Sequence, residues 1–158
     1  MDRIELNTLQ ADLTRDSEVA TNALQLARDR IAEGTPSGLE GCAHHLARLF
    51  NVIEQLALRV AKLFENSIDD RRWHAELIRR MTLEVEGVRP ALFPTALVQP
   101  LRELRGFRHV WTHAYDLELD RDKLVLLLKY ADQVVPLLPE LSRRFILGVA
   151  AMHEIEGT

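Results

Sequence analysis

The residues of this chain that could do chemistry are concentrated between positions 102 and 115. These fourteen residues include three arginines, two histidines and a tyrosine: Arg102, Arg105, Arg108, His109, His113 and Tyr115. An imidazole can take or give a proton near neutral pH, and a guanidinium can hold a phosphate with paired hydrogen bonds. A tyrosine can donate a hydrogen bond or stack on a base. The segment therefore suits phosphodiester chemistry.

RNA is the substrate whose cleavage would need the fewest catalytic groups from such a site. It carries its own nucleophile, the 2′-hydroxyl group, so that a base, a phosphate clamp and a positioned substrate are sufficient for cleavage without a metal. Arg108 as the clamp and His113 as the base or acid would supply this minimum. The alternative interpretation is that these arginines and histidines form only the solvated face of an amphipathic helix.

Helical geometry restricts how Arg108 and His113 could act together. Positions five apart on an ideal helix differ by roughly 140°, so the two side chains would point apart, whereas Arg105, His109 and His113 would share one face. Two arrangements would bring the motif together. Either the helix ends near Trp111 and His113 turns back, or a second subunit completes the site. In an extended segment His113 and Tyr115 would share a side.

The composition of the whole chain bounds the possible functions. Its 158 residues suit one domain, 1–158, and its formal net charge of −4 excludes a general basic coat for nucleic acid. RNA contact would need a local basic patch. Cys42 is the only cysteine, which excludes an intrachain disulfide and favours a small buried hydrophobe. No apolar signal or membrane-spanning run is present, so the expectation is a soluble cytoplasmic protein.

The hydrophobic spacing predicts an all-α fold, an up-and-down bundle of five to six helices. The clearest helix carries a long apolar seam of Cys42, Leu46, Leu49, Phe50, Ile53, Leu56, Ala57, Val60, Leu63 and Phe64. The predicted boundaries are Gly34 with Pro36, a capping box of Ser37 with Glu40, a cap at Asp69 or Asp70, Pro100 in a first turn, a cap at Asp120, and a break at Pro136 and Pro139. A third helix would bury Trp73, Leu77, Met81 and Val85, and residues 112–120 are expected to leave the helix.

Arg108, His113 and Tyr115 also match a known signature, R-x4–6-H-x-Y. On this motif the chain resembles the HepT-like toxins of the HEPN superfamily. The runs 104–108, 113–116 and 51–63 are similar to that family as well, and the likeness extends over about residues 37–145. Two features depart from it: the residue after the arginine is commonly Asn or Asp but is His109 here, and an arginine-rich stretch lies between Asp69 and Val85.

The resemblance implies a two-fold homodimer whose motifs line a shared cleft. It implies that Arg108 binds the scissile phosphate, that His113 is the base or acid, and that an MntA-like nucleotidyltransferase antitoxin modifies Tyr115 with AMP. This adduct would add bulk and negative charge and so repel RNA. The implied protein is the toxin of a type VII-like HEPN/MNT toxin–antitoxin system, a metal-independent endoribonuclease cutting RNA such as tRNA or mRNA, with no cofactor of its own.

Several other residues have two possible roles. Glu54 could orient Arg108 or be an exposed glutamate, and Arg105 and His109 could support the site or be merely surface. The adjacent His44 and His45 diverge on a helix and make a poor metal pair. Paired arginines could track RNA or be solvated: Arg71, Arg72, Arg79 and Arg80. Trp73 and Trp111 are expected to pack in the core or in a dimer seam.

Two other functions are compatible with the same residues. A non-catalytic HEPN module would use the arginine and imidazoles to bind a nucleotidyltransferase or a nucleotide without cutting RNA. A structural helical bundle would carry the motif by accident.

Overall fold

The computed structural model describes residues 1–65, 73–114 and 116–155, with only the backbone described at 73–75. Within these ranges the helices are α1 (Arg3–Ala32), α2 (Pro36–Phe64), α3 (Trp73–Arg80), α4 (Val98–His113), α5 (Arg121–Val134) and α6 (Leu138–Met152). Short 3-10 segments, Thr95–Leu97 and Val135–Leu137, lead into α4 and α6. The β pairing in the described ranges is a single bridge between Val85 and Arg89. The predicted all-α bundle is therefore confirmed.

Helices α1 and α2 form a long antiparallel hairpin. Helix α1 begins with a capping box, in which the Asp2 carboxylate accepts the backbone N–H of Glu5 at 2.8 Å and the Glu5 carboxylate accepts that of Asp2 at 2.9 Å. Gly34 turns the chain with φ +67°, a left-handed conformation that glycine adopts without strain. Thr35 then caps α2, because its Oγ1 accepts the backbone N–H of Gly38 at 3.0 Å.

The predicted capping box of Ser37 and Glu40 is wrong. Helix α2 begins at Pro36, where a proline lacks only an N–H that the helix would leave unbonded, and Thr35 occupies the capping position. The hairpin is tight here. A Cβ atom placed on Gly38 would lie 2.4 Å from the carbonyl oxygen of Arg30, so the close approach of α1 and α2 depends on the missing side chain.

The apolar seam of α2 is confirmed over most of its length. Its members are buried from Cys42 through Val60, while Leu63 at the end of the helix is 37% exposed. Burial raises the pKa of the Cys42 thiol to about 11, against the opposing charge of Arg121. Cys42 is thus a small buried hydrophobe, as predicted. The seam packs against apolar residues of α1, among them Leu6, Leu9, Leu13, Ala20, Leu24, Ala27 and Ile31.

Helix α3 is shorter than the sequence suggested. It ends at Arg80, so the predicted stripe is right at Leu77 and Met81, which are buried, and wrong at Val85, which is 38% exposed in the loop that follows. Asp69 and Asp70, the predicted caps, lie outside the described residues together with Arg71 and Arg72, and the side chain of Trp73 is not described.

The loop after α3 is organised around a buried arginine. Arg89 is 1% exposed, and its guanidinium donates to the carbonyl oxygens of Leu83 and Arg80 and to the carboxylate of Glu65 at 2.8 Å. Arg80 also donates to Glu65. Burial alone would raise the pKa of Glu65, but hydrogen bonds from both guanidinium groups outweigh it and hold the pKa below its usual value. This ion-paired cluster ties the loop to Glu65, the residue that follows α2.

Proline and aspartate place the remaining helices as predicted. Pro100 lies in the first turn of α4, and the Asp120 carboxylate accepts the backbone N–H of Asp122 at 2.8 Å to cap α5. Pro136 and Pro139 stand at the change from α5 to α6. Among the helices of the described chain, none is both long and apolar enough to cross a membrane.

Candidate functional site

The guanidinium of Arg108 is held against α2 by several side chains. Its Nη1 donates to Glu54 at 2.6 Å and to Asn51 at 2.9 Å, and its Nη2 donates to Glu54 at 3.3 Å. The guanidinium carbon lies 5.0 Å from the ring centre of Phe50. Planar contacts on the carboxylate and the ring leave the side chain few orientations. Arg108 is thus a fixed cation rather than a mobile surface arginine.

Helical spacing on both elements explains this contact. Asn51 and Glu54 are three residues apart on α2, so they lie on neighbouring positions of the helix surface facing α4. On α4, Leu101 and Leu104 are buried and bring the helix against the core. Arg108 follows Leu104 by four residues and therefore points in nearly the same direction, toward α2.

Glu54 is nearly closed off from solvent, whereas Arg108 remains partly open. Their side chains are 7% and 22% exposed. A guanidinium has five N–H donors, of which three are used here, so two remain. No acceptor for those two, one on Nη2 and one on Nε, lies among the described residues. The exposed edge of Arg108 can therefore donate to a further anion such as a phosphate oxygen.

His109 and His113 form a pair on the outer face of α4. Their ring centres are 4.5 Å apart, and both residues are exposed. The Nδ1 atom of His113 lies 2.8 Å from the carbonyl oxygen of His109 and 2.9 Å from Oγ1 of Thr112. A carbonyl oxygen can only accept, so the bond to His109 places the hydrogen of a neutral His113 ring on Nδ1. Its Nε2 then carries a lone pair that can take a proton.

Of the two arrangements considered, the one in which α4 ends near Trp111 is not observed, whereas the predicted departure of residues 112–120 from the helix is confirmed at 114 and 116–120. The helix continues through Thr112 to His113, and the backbone becomes extended only at Ala114. His113 consequently does not turn back toward Arg108 but packs against His109 one turn earlier. The structure therefore does not contain the arrangement in which a helix break completes the motif within one subunit. Tyr115, the third residue of the motif, lies outside the described residues.

The other residues of the predicted segment lie around this pair. Arg105 is half-buried and Arg102 is exposed, while Phe107 and Trp111 stack with ring centres 6.4 Å apart. Both aromatic side chains are partly buried against the core, as expected for Trp111. Whether Arg105 and His109 act in catalysis stays a prediction.

The remaining histidines whose side chains are described form no metal site. The His44 and His45 rings meet edge to face at 5.2 Å, and the described residues contain no group of three or more side chains suited to hold a metal ion. Burial lowers the pKa of His45, and the positive charge of its neighbours lowers it further. Of the paired arginines that are described, Arg79 is exposed and Arg80 pairs with Glu65.

Sequence reasoning named Glu54 as a possible partner of Arg108 but overlooked Asn51, Phe50 and Thr112. Positions 50, 51 and 54 share one side of α2, a spacing that could have shown them as a set once Glu54 was chosen. Thr112 could not have been found in this way, because its contact with His113 requires that α4 continue past Trp111.

Comparison with known proteins places the chain in a family. The family model described as HepT-like protein matches residues 41–149, which include all of α4 and most of α2. No curated protein and no solved structure matches the chain significantly. The matched region covers well over half of the 158 residues and contains Glu54, Arg108 and His113. The chain therefore belongs to the HepT-like family of HEPN-type toxin–antitoxin proteins.

Proposed function

We propose that this HepT-like protein is the toxin of its pair and acts as an endoribonuclease. The observation that carries the proposal is the fixed guanidinium of Arg108, bound by Glu54 and Asn51, on the same helix as an exposed imidazole pair. A cation held in one orientation can stabilise a pentacoordinate phosphate without first reorganising. Imidazoles that reach the same phosphate supply the proton transfers that RNA cleavage requires.

The proposed reaction uses the substrate's own nucleophile. The 2′-oxygen forms a bond to phosphorus while the bond from phosphorus to the 5′-oxygen breaks, which leaves a 2′,3′-cyclic phosphate and a free 5′-hydroxyl group. Nε2 of His113 takes the proton from the 2′-hydroxyl, and a protonated imidazole, His109 or a second His113, gives one to the leaving oxygen. The total charge and proton count are unchanged, and no metal or cofactor enters the scheme.

Arg108 and Glu54 have different roles in this proposal. Arg108 touches the phosphate through its two remaining N–H donors and is a catalytic residue. Glu54 touches Arg108 and not the substrate, so it is a positioning residue. Glu54 is 5% exposed, and its carboxylate holds the guanidinium on the α2 side of α4.

A homodimer would complete the site. Arg108 points toward α2 and His113 lies about 140° away around α4, so within one subunit they do not converge. A second copy related by a two-fold axis could bring its own His113 to the phosphate bound by Arg108. Isologous pairing of this kind is the commonest form of protein dimer.

The cleavage assay tests the proposal directly. Purified protein is incubated with labelled RNA and with tRNA in excess EDTA, and wild type is compared with Arg108→Gln and His113→Gln. Loss of general acid–base catalysis is expected to slow cleavage by about 10²–10⁴-fold, and loss of the phosphate clamp by about 10²-fold or more. The control Arg144→Gln removes an exposed arginine of α6 and is expected to cleave as wild type does. Wild type that leaves every RNA uncut would refute the catalytic role.

Regulation by a nucleotidyltransferase is the second part of the proposal. AMP transfer from ATP to the Tyr115 oxygen, with release of pyrophosphate, would place a negative charge two residues from His113. Intact mass of protein co-expressed with an MntA-like nucleotidyltransferase is expected to show AMP increments that Tyr115→Phe abolishes. Tyr130→Phe removes the chain's other tyrosine and serves as the matched control. An unmodified wild-type mass would refute this regulation and leave the nuclease assay to decide the first part.

One observation favours the alternative of a binding module. Arg108 is already neutralised by Glu54, and the imidazoles face another direction, which suits a contact surface as well as a nuclease. In that case neither wild type nor any variant cleaves RNA. Arg108→Gln is instead expected to weaken the complex with the nucleotidyltransferase in a pull-down at matched concentrations.

A further inference from the structure

The exposed side of α2 carries a line of cationic and amide side chains. We call it the α2 ridge, and it consists of His44, Arg48, Asn51, Gln55 and Lys62. Their separations of four, three, four and seven residues keep them on one face of the helix. From the first to the last the ridge is about 27 Å long. Its five members carry no negative charge, and the exposed Glu40, four residues before His44, adjoins its first end.

The cations of the α2 ridge are available to a ligand. Arg48 and Lys62 are exposed, and neither forms an ion pair with any residue that the structure describes. The neighbouring Arg59 shows the contrast, because Asp12 and Asp16 of α1 bind it at 3.2 and 2.8 Å. Acidic side chains of α1 thus neutralise the cation at the edge of this face and leave those of the ridge uncompensated.

The ridge is continuous with the candidate site. Asn51 belongs to it and accepts a hydrogen bond from Nη1 of Arg108 at 2.9 Å. Arg48 is three residues before Asn51 on α2, so the two side chains are neighbours on the helix surface. Arg48 therefore lies beside the contact between Asn51 and Arg108. Near the same end the buried Nδ1 atom of His45 has no partner among the described residues. Burial lowers the pKa of His45, and the charges of His44, Arg48 and Arg30 lower it further.

We infer that the α2 ridge binds the phosphate backbone of single-stranded RNA on one side of the scissile phosphate, with Arg48 as its principal contact. This inference rests on the proposed function, because Arg108 is taken to mark the scissile phosphate. A strand bound at Arg108 must leave the site along some surface. The α2 ridge offers it positive charges for phosphates and amides for sugar or base edges, without sequence preference.

The test uses an RNA that binds but cannot be cut. A fluorescent twelve-nucleotide RNA with 2′-O-methyl groups at every ribose lacks the nucleophile, and its Kd is measured by anisotropy at several salt concentrations. Arg48→Gln is expected to raise Kd about fivefold and to reduce the slope of log K against log salt by about 0.7, the value for one phosphate contact on a single strand. Arg48→Lys is expected to retain most of the affinity because a point charge suffices for a phosphate.

A matched control separates the ridge from general charge. Arg144→Gln removes the same charge from α6 and is expected to leave Kd and slope unchanged. Equal losses in Arg48→Gln and Arg144→Gln would overturn the inference, and so would an unchanged Kd in Arg48→Gln. A change in oligomer size in Arg48→Gln, measured by light scattering, would show an interface between copies instead and would also overturn it.

The two proposals fail in different ways. Binding of the 2′-O-methyl RNA is measured whether or not the protein cuts RNA, so wild type that binds it and leaves ordinary RNA intact refutes the nuclease alone. If cleavage occurs, Arg48→Gln is expected to raise KM for a long RNA about fivefold with kcat unchanged, because the contact is made equally in ground and transition states. A fall in kcat with unchanged KM would overturn the assignment of Arg48 to substrate binding.

Discussion

Replacing Glu54 with glutamine removes one negative charge from the site while keeping the shape of the side chain. Glu54 is 7% and Arg108 is 22% exposed at the side chain, and the carboxylate accepts at 2.6 and 3.3 Å. Hydrogen bonds to charged groups contribute about 1.5–3 kcal/mol, and a fully buried broken pair would cost about 3–5 kcal/mol. Because Arg108 can regain water and the amide oxygen can still accept one bond, we expect Glu54→Gln to lose about 2 kcal/mol.

Thermal unfolding and cleavage measured on the same preparations test this reasoning. A loss of that size corresponds to a fall in Tm of about 4–8 °C for a chain of this length. Displacement of the guanidinium by about an ångström is expected to lower kcat/KM about 10- to 100-fold at a temperature where the variant is fully folded. Glu40→Gln changes an exposed carboxylate of the same helix and is expected to alter neither quantity.

A double-mutant cycle with Arg108→Gln, which removes the positive charge, then isolates the pair from any other contact of Glu54. Coupling of about 1 kcal/mol or more in unfolding free energy is expected between residues in direct contact. Coupling near zero would show that the ion pair does not exist in solution and would refute the reasoning. Full cleavage by a destabilised Glu54→Gln protein would show instead that Glu54 supports the fold but does not position Arg108 for catalysis.

Two further changes test the fold. Gly38→Ala is expected to destabilise the protein by about 1–3 kcal/mol in urea unfolding, because its Cβ atom would lie 2.4 Å from a backbone oxygen of α1. Gly106→Ala, in open space on α4, is expected to stabilise by about 0.5–1 kcal/mol, and equal effects would contradict this account. The pKa of Glu65 is lower in the folded protein than its ordinary value of 4.5, and this difference contributes to the free energy of unfolding. The contribution is fully present above pH 4.5 and is lost as the pH falls through the pKa of the folded state. Wild type should therefore lose more unfolding free energy than Arg89→Met between pH 7 and about pH 3, and equal losses would contradict it.

The parts of the fold that were predictable depend on local sequence. The seam of α2 repeats over five turns, and Pro100, Asp120 and Pro136 act on the backbone within one turn of their own positions. The error at Ser37 has the same local origin. Ser37 and Thr35 can both cap a helix. Thr35 is the N-cap because Pro36, which follows it, already has the backbone angle of a first helical residue.

The long-range contacts could not be predicted in the same way. Nothing near Arg89 in the sequence shows that an arginine between Val88 and Pro90 is 1% exposed, because its carboxylate partner, Glu65, lies 24 residues earlier. The partner of Arg108 is 54 residues away on another helix. Chemistry limited that choice to acidic residues, but only the packing of α2 against α4 selects Glu54. The motif identified Arg108, His113 and Tyr115 as candidate site residues. Helical spacing predicted that the side chains of Arg108 and His113 point apart.

That divergence leads to a test of the proposed dimer. If each site takes Arg108 from one subunit and His113 with His109 from the other, a mixed dimer of Arg108→Gln and His113→Gln contains one site with Arg108 and His113 intact and one with neither. Random pairing would make half of the molecules mixed, so two inactive proteins, denatured and refolded together, should recover about a quarter of wild-type cleavage. Each variant refolded alone is the control. If both residues act within one subunit, every site in the mixture lacks one of them and no activity returns, which would refute the shared site and require α4 to unwind beyond Trp111 during catalysis.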